Sequence, residues 1–314
     1  MSANVSSPAV LGNLYRWDLD RTYLDSDIRS MRGMLRTALE PASAKRAIPG
    51  ATALIRALGA RSEDRVEIVS GSPEQMRGVL SEKLALDGVR VDAMYLKDQV
   101  ANLRAGRLRA MKEQIGYKLP LLLGTSRAWH GEWLFGDDTE ADPVVYALYA
   151  RALDGTLDVD TLSRVMKRWQ VDREGQRRIH EALQSIPTHR VEGVFIHVDR
   201  GVPVDTYAPL GSRVIPVHSW FQAAVVLWSR GIVDADALRE VARQAELSPH
   251  AIVGLLQDLR RRVPTSRAEA ACAVTVGEAS PWTARVAAIS AQGAPTGDRP
   301  DCETYTERLM RLRP

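Results

Sequence analysis

The chain has 314 residues, 45% hydrophobic and 26% charged, enough to bury a sizeable core and typical of a globular protein rather than a disordered one. The net charge of +3 comes from arginine, with only six lysines, and falls well short of the basic surface expected of a nucleic-acid binder. Cys272 and Cys302 form no CxxC pair and no zinc spacing, Met1–Asn13 lacks a signal-peptide pattern, and Ala223–Trp228 is too short to span a bilayer, so a soluble, cytoplasmic protein is expected.

Asn13–Asp18 (NLYRWD) reads as a short strand stopping at an acidic turn. Ser26–Leu39 follows with Ile28, Met31, Met34, Leu35 and Ala38 at helical spacing; such a stripe is usually core, with an entrance lining as the alternative. Pro49 suits the first turn of a helix over Pro49–Leu58. Arg65–Val69 predicts a second strand running into Ser70-Gly71-Ser72-Pro73, where Ser72 would cap a helix and Pro73 begin it. Val89–Met94 predicts a third strand, Tyr117–Ser126 a helix, and Glu132–Phe135 a strand ending in Gly136-Asp137-Asp138. Pro143–Leu153 predicts a helix and Val191–Val198 a strand, with inserted helices between them at Val159–Trp169 and Arg173–Ile186. Helices follow near Ser219–Ser229, Asp234–Ala245 and Pro249–Arg262, the last carrying the basic run Arg260–Arg262 on what reads as a solvated face.

Strands separated by helices imply a parallel sheet covered on both faces, hence an α/β fold. Residues 1–232 are expected to form the core, with a helical insertion at about 154–188. Residues 233–263 would be a helical extension, and 264–314 a loosely ordered tail with a short terminal helix at Tyr305–Leu312.

Three strand ends carry chemistry. Asp18-Leu19-Asp20-Arg21-Thr22 places D-x-D-x-T after the first strand. Two carboxylates there repel unless a cation or a shared proton compensates. Ser70 and Gly71 at the second strand end would present a hydroxyl and helix N–H groups to a phosphate. Asp137, Asp138 and Asp142 cluster after another strand, a set of oxygen ligands suited to a hard cation. Each signal alone is commonly an ordinary turn or helix start. Together they fall at the carboxyl edge of the sheet, where open α/β sheets bind ligands.

The order D-x-D-x-T, strand-end serine, lysine, then GDDxxxD resembles the haloacid dehalogenase superfamily of phosphohydrolases, over about residues 13–150. The resemblance implies a Rossmann-like parallel sheet with a minimal cap, because Tyr23–Val69 and Gly71–Tyr117 leave no room for a cap domain; the helices after the core would be additions. It implies Asp18 as nucleophile, Asp20 as general acid/base, Thr22, Ser70 and Gly71 as phosphate-binding, and Lys118 as the catalytic lysine, with Lys112 and Lys97 as rivals. Mg²⁺ would be held by Asp18, the Asp20 carbonyl, Asp137 and Asp138, with Asp142 in an outer shell. The implied activity is a Mg²⁺-dependent phosphomonoesterase using an aspartyl phosphate. The alternatives are a phosphatidate-type lipid phosphatase and a non-catalytic binding domain on the same scaffold. The lipid-phosphatase branch commonly has GDSGQ where this chain has GDDTE.

Topology sorts the remaining candidates. The loop after Val198 leaves the sheet at the catalytic edge, which makes Asp199, Arg200, Tyr207 and Arg213 candidate substrate contacts. Trp129 and His130 would sit at the opposite edge.

Overall fold

Alternation along the central strands sends aromatic rings to one side of the sheet and aliphatic side chains to the other. The computed structural model describes residues 12–26, 40–98, 114–187, 189–263 and 267–277. Its strands are β1 (Asn13–Trp17), β2 (Arg65–Pro73), β3 (Ala93–Lys97), β4 (Gly131–Asp137), β5 (Val191–His197) and β6 (Val214–Val217). They form one sheet in the order β3-β2-β1-β4-β5-β6, with every neighbouring pair parallel. The chain builds outward from β1 in one direction, then from β4 in the other. The topological switch point of this Rossmann-like α/β fold therefore lies between β1 and β4.

On one face Tyr15, Trp17, Phe135 and Phe195 pack in a row; Trp17 stacks on Phe135 with ring centroids 4.1 Å apart, and Phe135 on Phe195 at 5.3 Å. Each buried ring contributes about 1.5–3 kcal/mol by leaving water. This face is covered by α1 (Ala51–Leu58), α2 (Arg77–Leu86), α7 (Trp220–Ser229), α8 (Ala235–Gln244), α9 (Pro249–Arg262) and α10 (Ala268–Val276). The opposite face offers Leu134, Val194 and Ile196 to α3 (Ile115–Gly124), α4 (Asp142–Leu153), α5 (Val159–Arg168) and α6 (Arg173–Leu183). Asp158 and Asp172 cap α5 and α6 by accepting from Thr161 N and Gly175 N.

Four features differ from the sequence reading. Strand β2 continues through Ser70-Gly71-Ser72, and Pro73 is paired with Lys97 of β3 across an irregular register. A 3-10 turn over Glu74–Met76 then delays α2 to Arg77, so Ser72 caps nothing and Pro73 keeps an extended backbone. Strand β3 begins at Ala93, not Val89, because Val89 N is spent closing α2 on Leu84 O at 2.8 Å. Strand β6 had no sequence counterpart: it is four residues long and buried throughout, so it carries no alternation. Within the segment expected to be loose, Ala268–Val276 forms α10 against α9.

The basic run is tied into ion pairs, Arg260 with Glu269 and Arg262 with Asp258. No helix among the described residues is long and apolar enough to cross a membrane. The expected helix beyond Ser26, with Met31, Met34 and Leu35, lies outside the described residues, as do Lys112 and the terminal Tyr305–Leu312.

Candidate active site at the carboxyl edge

Strand β1 ends at Trp17, and the next amide remains in the ladder: Asp18 N donates to Phe135 O of β4 at 2.9 Å. This holds Asp18 at the switch point, beside Asp137 at the end of β4. The chain then turns into α4, which starts at Asp142 with Pro143 in its first turn. Gly136 makes this return possible. A Cβ there would lie 2.5 Å from Asp142 Oδ2 and 2.7 Å from the Tyr146 ring, so only glycine admits the close approach.

Lys118 reaches the same place from α3. Its ammonium is fully buried, 2.8 Å from Asp18 Oδ1 and 2.5 Å from Asp142 Oδ1. One oxygen each of Asp18, Asp137 and Asp142 lies within 4.8 Å of the others. All three acids are buried, and among the described residues only one ammonium is in hydrogen-bond contact with the group.

The electrostatics follow from that imbalance. Burial pushes the Asp18 carboxyl well above the usual carboxylate range; Lys118 pulls it back, and Asp142, Asp137 and Glu140 push it up again. Asp137 is raised for the same first reason, burial, and then by Asp142, against a hydrogen bond from Thr139. Burial alone would lower Lys118, but Asp142 and Asp18 hold it well above its ordinary value. Asp18 Oδ2 and Asp142 Oδ2 are buried and accept no hydrogen bond. Leaving such a group unpaired costs about 1–3 kcal/mol or more. With Asp137, these two carboxylates form a set of oxygen donors that fits a hard divalent cation.

Of the predicted residues, Asp18, Lys118, Asp137 and Asp142 are brought into one cluster. Asp142, expected as an outer-shell partner, contributes an oxygen to this cluster. Thr22 is buried and donates from Oγ1 to Asp137 Oδ2 at 3.3 Å. Asp20 stands aside from the cluster, its carboxylate accepting from Ser26 Oγ and Ser72 Oγ, each at 2.6 Å.

Other predicted residues are placed differently. Asp138 turns away from the acids and accepts from Asp199 N at 2.8 Å, Arg200 N at 3.1 Å and Tyr207 OH at 2.9 Å. Those donors occupy the carboxylate that the sequence assigned to the metal. Ser70 and Gly71 lie in β2 rather than at a helix N-terminus, and Ser70 Oγ accepts from Ser72 N at 3.0 Å. No helix N–H cradle is formed there. Tyr207 is buried in a 3-10 segment, Val204–Leu210, with its hydroxyl on Asp138. Arg213 precedes β6 at the amino edge and pairs with Asp154 at 2.6 Å, so it does not reach the site. Arg200 is exposed on the rim. Lys97 ends β3 with its ammonium 5.5 Å from the Tyr117 ring centre, and among the described residues Lys118 is the lysine in contact with Asp18. His130, as expected, precedes β4 at the far edge, its N–H on Gly12 O.

Sequence reasoning missed Glu140 and Gln114. Gln114 Nε2 donates to Glu140 Oε1 at 3.0 Å and packs on Gly71, where a Cβ would lie 2.4 Å from it. Burial raises the Glu140 carboxyl, Lys118 opposes, and Asp142 and Asp20 add to the rise. The signal available was a fourth acid inside GDDTEAD.

No protein-family model, curated protein or solved structure matches this chain.

Proposed function

We propose that the chain is a Mg²⁺-dependent phosphohydrolase that forms an aspartyl phosphate on Asp18. The observation that carries this reading is the asymmetry of the Asp18 carboxylate. Its Oδ1 is held by Lys118 at 2.8 Å, while Oδ2 is buried, unpartnered and beside two more acids at the switch point. A phosphoryl group needs a fixed nucleophile, neutralised charge and a proton donor at the leaving oxygen.

In the first step Asp18 Oδ2 bonds to phosphorus as the ester P–O bond breaks. The leaving oxygen takes a proton from Asp20, which Ser26 and Ser72 hold in place. In the second step Asp20 removes a proton from water. That water oxygen bonds to phosphorus, the Oδ2–P bond breaks, and phosphate leaves. Lys118 holds Asp18 through both steps, and Asp142 keeps the ammonium in position. Asp18, Asp137 and Asp142 would hold Mg²⁺, which when bound neutralises their surplus charge and that of the phosphate.

The test is hydrolysis of an aryl phosphate with and without Mg²⁺, joined to mass-spectrometric trapping of phosphate on Asp18. Metal-dependent turnover with the adduct on Asp18 is expected. A wild-type chain with neither turnover nor adduct, across a panel from sugar phosphates and nucleotides to phosphatidate in micelles, would overturn the reading.

A further inference from the structure

The turn that carries Asp18 and Asp20 is held from the β4–β5 side by groups with no part in the chemistry above. Arg21 lies between Asp20 and Thr22 with a left-handed backbone, φ 61°. A non-glycine residue in that region costs on the order of 1 kcal/mol and persists where surrounding contacts over-determine it. Here the contacts are visible. Arg21 N donates to Leu24 O at 2.8 Å, and its guanidinium pairs with both Asp25 and Asp199. Asp199 is held in turn, since its own N–H donates to Asp138 Oδ1 at 2.8 Å. Tyr207 closes the far end by donating to Asp138 Oδ2 at 2.9 Å. Asp138 is the immediate chain neighbour of Asp137.

We propose that Asp138, Asp199 and Arg21 form a positioning relay that sets the Asp18–Asp20 turn against β4, and that Asp138 serves the site through this relay and not as a metal ligand. The geometry favours this over direct ligation. Both Asp138 oxygens already accept from donors of the β5–β6 loop, whereas the open oxygens belong to Asp18 and Asp142. The relay also explains two adjacent aspartates after β4. Asp137 faces the acid cluster, and Asp138, on the other side of the chain, ties down the next loop.

The effect of the relay on turnover rests on the phosphohydrolase reading; its effect on the turn does not. Amide hydrogen exchange over residues 19–24 is therefore measured in the full chain, alongside Mg²⁺ affinity by calorimetry and kcat on an aryl phosphate. Asp138→Asn and Asp199→Asn should each speed exchange in that turn by about tenfold, as a loosened local unit does. Mg²⁺ affinity should stay within about twofold, whereas Asp137→Asn should weaken it by about tenfold or more. kcat should fall about ten- to a hundredfold in both relay variants, the scale of a misplaced catalytic group. Adding Arg21→Gly to Asp199→Asn should cost less than the two single changes together, because both break the Arg21–Asp199 pair. Should Asp138→Asn fail to fold, Tyr207→Phe and Asp199→Asn carry the same measurements. Loss of Mg²⁺ binding in Asp138→Asn equal to that in Asp137→Asn would overturn the proposal, as would unchanged exchange in both relay variants. Faster exchange in a chain whose wild type has no turnover would uphold the relay and overturn the phosphohydrolase reading.

Discussion

Two buried polar clusters share one sheet and two helices. At the carboxyl edge stand Asp18, Asp137, Asp142 and Lys118. Under the amino half, on the α3–α4 face, Arg16 lies 3.3 Å from Glu67 and 3.2 Å from Glu132, and Glu132 takes His189 Nε2 at 2.7 Å. Helix α3 serves both, with Lys118 above and the carbonyls of Leu122 and the following Thr125 accepting from Arg16 below. Helix α4 does the same with Asp142 and Tyr149, whose hydroxyl lies 3.0 and 2.9 Å from the two Glu132 oxygens. Both clusters bear the cost of taking charge out of water. In the lower one both Glu132 oxygens accept hydrogen bonds, and Glu67 Oε2, which accepts none, still faces the Arg16 guanidinium at 3.3 Å. The upper one keeps buried oxygens open on Asp18 and Asp142. A buried network whose charges are paired within the protein holds a fold together, while one with surplus charge of one sign is completed by something from outside.

The lower cluster also contains a serine–histidine–carboxylate order, with Ser126 Oγ 3.5 Å from His189 Nδ1. It is poorly built for nucleophilic catalysis. Ser126 follows the C-terminus of α3, where helix carbonyls place partial negative charge against any developing oxyanion. The same charge suits the guanidinium of Arg16, which is the group found there.

The largest effect should come from the open cluster. Asp18→Asn should lower turnover by about a thousandfold or more, with no loss of melting temperature in the absence of Mg²⁺. The reason is that two buried carboxylates would still face one ammonium. A sharp fall in melting temperature would break the contrast by making Asp18 structural. Glu132→Ala should do the reverse. It leaves Arg16 buried with a poorer partner and should cost about 3–5 kcal/mol in urea unfolding, with the folded fraction still active. Saturating Mg²⁺ at about a hundredfold over its Kd should stabilise the wild-type chain by about 2.7 kcal/mol, and Asp137→Asn, with affinity about tenfold weaker, by no more than about 1.4 kcal/mol; a scan against metal concentration reads this. His189→Gln should cost about 1 kcal/mol through one lost hydrogen bond. Ser126→Ala should sit below that and leave kcat unchanged.

Much of the site was legible in the residues. D-x-D-x-T after a strand and GDDTEAD after another marked the edge, and the family resemblance pointed to Lys118 ahead of Lys112 and Lys97. What the pattern could not distinguish was which carboxylate of the second motif turns inward. Asp138 and Asp142 are the same residue type, and the choice depends on Tyr207 and the loop N–H groups reaching Asp138 from residues far along the chain. Ser70 and Gly71 were misplaced for a related reason. A serine–glycine–serine–proline turn is locally well suited to start a helix, but pairing with β3 keeps it extended. Arg213 depended on β6, whose four buried residues have no period to read.

The sequence by itself determined the alternation of strands and helices, the parallel sheet, and the arrival of three acidic or hydroxyl-bearing segments at one edge. These follow from periodicity and chain order, which are local properties. Only the tertiary structure decided the charge balance. Lys118 must cross from α3 to reach Asp18 and Asp142, and Gly136 must leave room for Asp142 to lie over β4. How much counter-charge surrounds a buried carboxylate is a property of its neighbours in space, and it is that difference which separates the candidate active site from the structural cluster beneath it.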